Sequence, residues 1–126
     1  MKLLISSSLI FLVTIVLGIG VNFKIDRQIQ NFNQSLQEIQ PLIVENEWLK
    51  AQEQAQTVQK KWEKTTQWWP LVLDHQELEE IDYLLSQVSE YIQKEDLTLA
   101  QSSLAELKER AEHIPEQEQP TLQNIF

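Results

Sequence analysis

Hydrophobic positions along this chain fall into two different arrangements. From Leu3 to Phe23 they form a nearly continuous run without a single charged residue. Roughly 20 residues at a helical rise of about 1.5 Å reach roughly 30 Å, the thickness of a bilayer's hydrocarbon core. Past Phe23 the apolar positions are spaced instead. Ile25, Ile29, Phe32, Leu36, Ile39 and Ile43 alternate between gaps of four and three, the stripe of a helix packed on one face. The first arrangement predicts a transmembrane helix, and the second predicts an all-α domain that follows it.

The stripes repeat. A shift of 49 residues carries Ile43 to Ile92, and with it a second stripe of the same rhythm through Leu78, Ile81, Leu85 and Val88. A third stripe runs through Trp48, Ala51, Ala55, Val58, Trp62, Thr65 and Trp69. The same shift gives a fourth: Leu97, Ala100, Leu104, Leu107, Ala111 and Ile114. Gln54 falls on the polar side of the third. Two antiparallel helical hairpins, 24–69 and 74–114, account for this pattern. Their turns are acidic, at Glu45-Asn46-Glu47 and Lys94-Glu95-Asp96. The hairpins can close into a four-helix bundle or stack as an open, TPR-like array, and the pattern alone leaves both open.

Boundary residues agree with these limits. Asp74 followed by Glu77 resembles a capping box, in which the aspartate oxygen accepts orphan amide protons. Pro70 breaks the helix before it, Pro41 terminates or kinks the first, and Pro115 is expected to close the fourth. The chain thus divides into an anchor (1–23), a four-helix domain (24–114) and a short tail (115–126), whose Leu122, Ile125 and Phe126 are expected to dock on the bundle. Alternating chain direction brings the Trp68–Leu73 connector, the start of the third bundle helix and the end of the fourth to the membrane-proximal end.

Composition narrows the chemistry. Both glycines, Gly18 and Gly20, lie in the anchor, so the domain cannot build phosphate-cradling loops. A net charge of −9 argues against nucleic acid and against an electrostatic grip on anionic lipid. The absence of cysteine excludes disulfides, thiol catalysis and zinc-thiolate sites. Gly18-Ile19-Gly20 has small residues at a signal-peptidase spacing, but the apolar run is long and lacks alanine there, so it reads as an uncleaved anchor. Lys2 and the α-amino group on one flank nearly balance Lys24 and Arg27 on the other. An N-terminal span followed by one domain is then expected to export that domain, giving a single-pass cell-membrane protein with an extracytoplasmic C-terminal part.

Two groups of residues carry candidate chemistry. His75 and His113 meet at the membrane-proximal end with Asp74 and Glu77 nearby, a donor set suited to a metal or a proton-sensitive latch. The alternative is structural: His75 in a helix first turn, His113 facing a helix C-terminal dipole. Trp68 and Trp69 are membrane-interface candidates, since indole favours the headgroup region, or else a lid over the open end of the bundle. No catalytic residue and no cofactor-binding motif emerges: Ser6-Ser7-Ser8 and Ser102-Ser103 have no histidine base at helical spacing, and nucleotide and metalloprotease motifs are absent. The chain does not read as an enzyme.

Lys61-Trp62-Glu63-Lys64, Asp74-His75-Gln76-Glu77, and His113-Ile114-Pro115-Glu116 with Asn124-Ile125-Phe126 resemble the domain-of-unknown-function 4363 family. The resemblance extends over essentially the whole chain. It implies a small, membrane-anchored helical protein of Gram-positive bacteria, and it brings no catalytic residues. The expected role is a helical module that binds another protein or itself. The alternative is a ligand, metal or pH sensor using His75 and His113.

Overall fold

The computed structural model describes residues 1–71 and 73–125, with side chains described as far as Ile114. The protein is all-α. Helix α1 spans Lys2–Gln37, α2 Ile39–Val44, α3 Trp48–Thr65, α4 His75–Gln93 and α5 Leu97–Ile125, with a single 3-10 turn at Trp69–Leu71. The apolar segment and the first bundle helix are one helix. No turn separates Phe23 from Lys24, so the span enters the domain as a rigid rod.

The one interruption in that rod has a local cause. Pro41 has no N–H to donate to the carbonyl four residues back, at Gln37, and its ring crowds that carbonyl. α1 ends at Gln37, and Glu38 keeps helical angles of φ −68° and ψ −20°. The chain therefore bends and continues as α2. Gln54 bridges this bend from α3, with its Nε2 donating to the Ser35 carbonyl at 3.3 Å and to Glu38 Oε2 at 3.1 Å. It is half-buried, not a free position on a polar face.

Packing settles the choice between bundle and array. The α1–α2 rod lies against α3 and α5, α3 against α4, and α4 against α5. The four arms close a ring, a four-helix bundle with short connections between successive antiparallel arms. The core follows the stripes: Ile29, Phe32, Leu36, Ile39 and Ile43 in the first arm and Leu78, Ile81, Leu85, Val88 and Ile92 in the third are all buried. The same holds for Ala51, Ala55, Val58 and Trp62 against Ala100, Leu104, Leu107 and Ala111.

The two interhelical turns match bond for bond. Glu47 N–H donates to Leu42 O at 2.8 Å and Asn46 N–H to Ile43 O at 3.2 Å; Asp96 N–H donates to Tyr91 O at 3.0 Å and Glu95 N–H to Ile92 O at 3.0 Å. This is the Schellman closure of a helix C-terminus. It needs a left-handed residue, supplied by Asn46 at φ 60° and by Glu95 at φ 56°.

The fourth arm departs from expectation. α5 continues through Pro115 and Pro120 to Ile125 instead of ending at Pro115. A proline in a helix interior removes one hydrogen bond and bends the axis, and its φ near −65° remains helical, so it need not end the helix. Residues 115–125 are therefore a helical extension of α5, not a separate irregular tail. Docking of the Leu122, Ile125 and Phe126 side chains lies outside the described residues.

Candidate functional site

Chemistry-bearing side chains concentrate at the end of the bundle where the apolar span enters. Their arrangement begins with Pro70, which cannot donate to the Thr66 carbonyl. Trp69 N–H takes that acceptor instead at 3.1 Å, while the Thr66 hydroxyl donates back to Trp62 O at 2.8 Å. α3 thus stops at Thr65 and the chain tightens into the 3-10 turn. That turn points successive residues in opposite directions. Trp69 is 0% exposed and Leu73 is buried, whereas Leu71 is 86% exposed and Trp68 is half-buried.

The aromatic side chains form a connected cluster. Phe32 and Trp62 have ring centroids 4.4 Å apart, Trp62 meets Trp69 edge-on at 5.2 Å, and Trp69 meets Trp68 edge-on at 6.2 Å. These are the tilted and edge-to-face geometries that the ring quadrupole favours. Each buried indole N–H is satisfied. Trp62 Nε1 donates to Asp82 Oδ1 on α4 at 2.8 Å, and Trp69 Nε1 donates to Gln28 Oε1 on α1 at 2.9 Å. The cluster ties three arms and the connector together. Lys24 Nζ sits 5.3 Å from the centre of the Trp68 ring, within cation–π range.

The two tryptophans named as interface candidates therefore separate. Trp69 is the lid: fully enclosed and hydrogen-bonded inward, it has no surface left to meet lipid. Trp68 lies at the rim, beside the first charged residue after the apolar span. Leu71 lies in the Trp68–Leu73 connector, and its exposure is the feature that sequence reading did not single out. Proline followed by a leucine off the helical stripe was the only signal.

The candidate histidine residues occupy separate helices, α4 and α5. Asp74 is engaged as the N-cap of α4, with Oδ1 accepting from Gln76 N–H at 3.2 Å. His75 is the first residue of α4 and exposed. His113 is exposed, its Nδ1 2.7 Å from the Glu109 carbonyl one turn back. Because α5 runs on, His113 lies within the helix rather than at its C-terminal dipole. Among the described residues, no three His, Asp or Glu side chains are gathered to hold a metal ion.

A groove of about 190 Å³ lies between α1 and α3 at the same end, lined by Gln28, Phe32, Ser35, Lys61, Trp62 and Thr65. Ligand pockets usually measure about 300–1,000 Å³, so this one has room for a side chain or a few waters.

A continuous apolar helix leading into a closed helical bundle with an aromatic lid defines the class: a small all-α domain carried on a membrane-compatible helix. Residues 19–125 match the domain of unknown function DUF4363, and the chain belongs to that family. The match runs to the end of α5, so the helical extension past Pro115 is part of the family's domain. No curated protein matches the chain, and no solved structure matches it.

Proposed function

We propose that this protein is a single-pass membrane protein whose bundle stands outside the cytoplasm and binds another protein or a second copy of itself. One observation carries the anchoring. The apolar part of α1 is long enough to cross a bilayer, and no residue of its most apolar stretch is buried by the rest of the chain. Leu3, Leu9, Phe11, Leu12, Val16, Leu17 and Ile19 all stand exposed. Such a patch on a water-soluble molecule would drive aggregation, whereas in lipid it is solvated. The polar side chains within it are also served internally. The hydroxyls of Ser6, Ser7 and Thr14 donate to the carbonyls of Lys2, Leu4 and Ile10.

A binding role draws support from the opposite end. Leu49 is 78% exposed, and Val44 and Leu99 are also uncovered, all beside the two acidic turns far from the span. A single cysteine tests both parts, since the chain has none of its own. With Leu49→Cys in the full-length protein, a membrane-impermeant maleimide should label intact cells. A photo-crosslinker at that position should yield a discrete higher-mass species. Protection until lysis would put the bundle in the cytoplasm. Monomer alone at every concentration would remove the binding role.

A further inference from the structure

Resting on the membrane-anchored reading, we infer that the connector end of the bundle is itself a lipid-binding surface. Trp68 and Leu71 enter the headgroup layer of an anionic bilayer, flanked by Lys24, Arg27, Lys61 and Lys64.

Height above the membrane is the first support. If Leu3–Phe23 fills the hydrocarbon, Lys24 lies at its boundary, and the Trp68 ring is held against Lys24 Nζ at 5.3 Å. Val21, inside the apolar segment, already packs on the bundle core. The lower end of the bundle therefore reaches the boundary and is not held above it on a stalk. α1 is helical without a break across this point, so the bundle's lower end is fixed relative to the apolar segment.

The exposed groups suit that location. A half-buried tryptophan and a leucine that is 86% exposed sit on the turn nearest the span. Indole partitions to the headgroup region, and an apolar side chain beside it gains by leaving water. No carboxylate is paired with these bases among the described residues. The ion pairs among the described residues use Lys50, Lys94 and Arg110, and none involves Lys24, Arg27, Lys61 or Lys64.

The net charge of −9 conceals this distribution. On the lower parts of α1 and α3, Lys24, Arg27, Lys60, Lys61 and Lys64 outnumber Asp26 and Glu63. The carboxylates Asp74, Glu77, Glu79 and Glu80 belong to the start of α4, across the ring from α1, and Glu109 and Glu112 to the lower part of α5, where Glu112 shares a groove with Asp26. Clustered juxtamembrane cations attract anionic headgroups within a Debye length, whatever the charge of the rest of the molecule. The bundle thus leans on its α1–α3 side with the more acidic α4–α5 side turned away from the surface.

The test uses full-length protein in vesicles, with one spin label at a time on Leu12→Cys, Leu49→Cys or Leu71→Cys. Collisions with a water-soluble nickel chelate and with oxygen report depth. In vesicles containing phosphatidylglycerol, the label at position 71 should be shielded from nickel, as the label at 12 is, while the label at 49 stays accessible. Neutral phosphatidylcholine vesicles, or the added pair Lys61→Gln and Lys64→Gln, should restore nickel access at 71. Equal access at 71 and 49 with 12 still shielded would overturn the inference and leave the anchor standing. Access at 12 would instead overturn the anchored reading. Shielding at 71 that persists unchanged in uncharged detergent would mean that protein, not lipid, covers it, and would also overturn the inference.

Discussion

Hairpins 24–69 and 74–114 share one backbone and differ in what fills it. Their turns carry the same hydrogen bonds 49 residues apart, as in Glu47 to Leu42 and Asp96 to Tyr91. Their core positions coincide even where the residues do not. The largest difference is at one pair: Trp62 in the first hairpin, Ala111 in the second, both buried. That pair lies at the end of the bundle where the apolar segment enters, where the first hairpin carries the aromatic cluster and the buried residues described in the second are Leu78, Ile81, Ala111 and Ile114. Repetition of pattern therefore builds the bundle, and departure from it builds the site.

The comparison can be broken hardest at Trp62. Trp62→Ala should cost about 3–5 kcal/mol, the range for emptying a buried tryptophan site, and also leaves Asp82 without its indole partner. Trp62→Phe keeps most of the volume and should cost about 1 kcal/mol, the net worth of the lost hydrogen bond. Thermal unfolding of the full chain in micelles measures both. Equal losses would mean that the hydrogen bond, not the packing, holds the cluster.

The two turns sharpen the comparison further. Glu95 pays for a left-handed backbone that glycine adopts freely, so Glu95→Gly should stabilise by roughly 1 kcal/mol. Asn46→Gly should gain less, since asparagine tolerates that conformation better. The helices that follow differ in their caps. Asp96 Oδ1 accepts from Leu99 N–H at 3.1 Å, whereas Glu47, at the matching position, makes no side-chain cap bond. Glu47→Asp should therefore stabilise α3 by about 0.5–1 kcal/mol. No gain would mean that the α3 start cannot adopt the geometry α5 uses.

The smallest effect is at Lys94, the C-cap residue that follows α4. Its hydrogen bond to Glu90, reinforced by that residue's charge, raises the ammonium pKa above its ordinary value. A raised folded-state pKa contributes stability that is present below the unfolded value and lost as pH rises through the folded one. Lys94→Gln should accordingly change stability slightly near neutrality and not at all in strong alkali. The first hairpin has Glu45 at that position, so no counterpart to this bond exists there.

Much of the fold was legible because helix packing writes itself into spacing. The four stripes located the core, the acidic turns fell where the chain reverses, and Asp74 caps α4. Stripes do not reveal closure, since a bundle and an array bury the same faces; the α1–α5 contact decides between them. Proline was the least informative residue. Pro41 bends the rod, Pro70 sets a 3-10 turn, and Pro115 lies within α5, because each outcome depends on what its neighbours bury. The site was half legible. Adjacent tryptophans before a proline marked the right place, but a two-residue motif cannot say which ring turns inward. Net charge misled about the surface, because a sum does not record that the unpaired bases gather on two neighbouring helices.

The central claim is that the span and the bundle share one rigid helix. Spin labels on Val16→Cys and Gln30→Cys, placed together in the full-length protein in bilayers, test it most directly by pulsed dipolar spectroscopy. A continuous helix puts these positions roughly 21 Å apart along its axis, from a rise of about 1.5 Å per residue. The account predicts a narrow distribution near that separation. A broad or much shorter distribution would place a hinge between anchor and domain and contradict it.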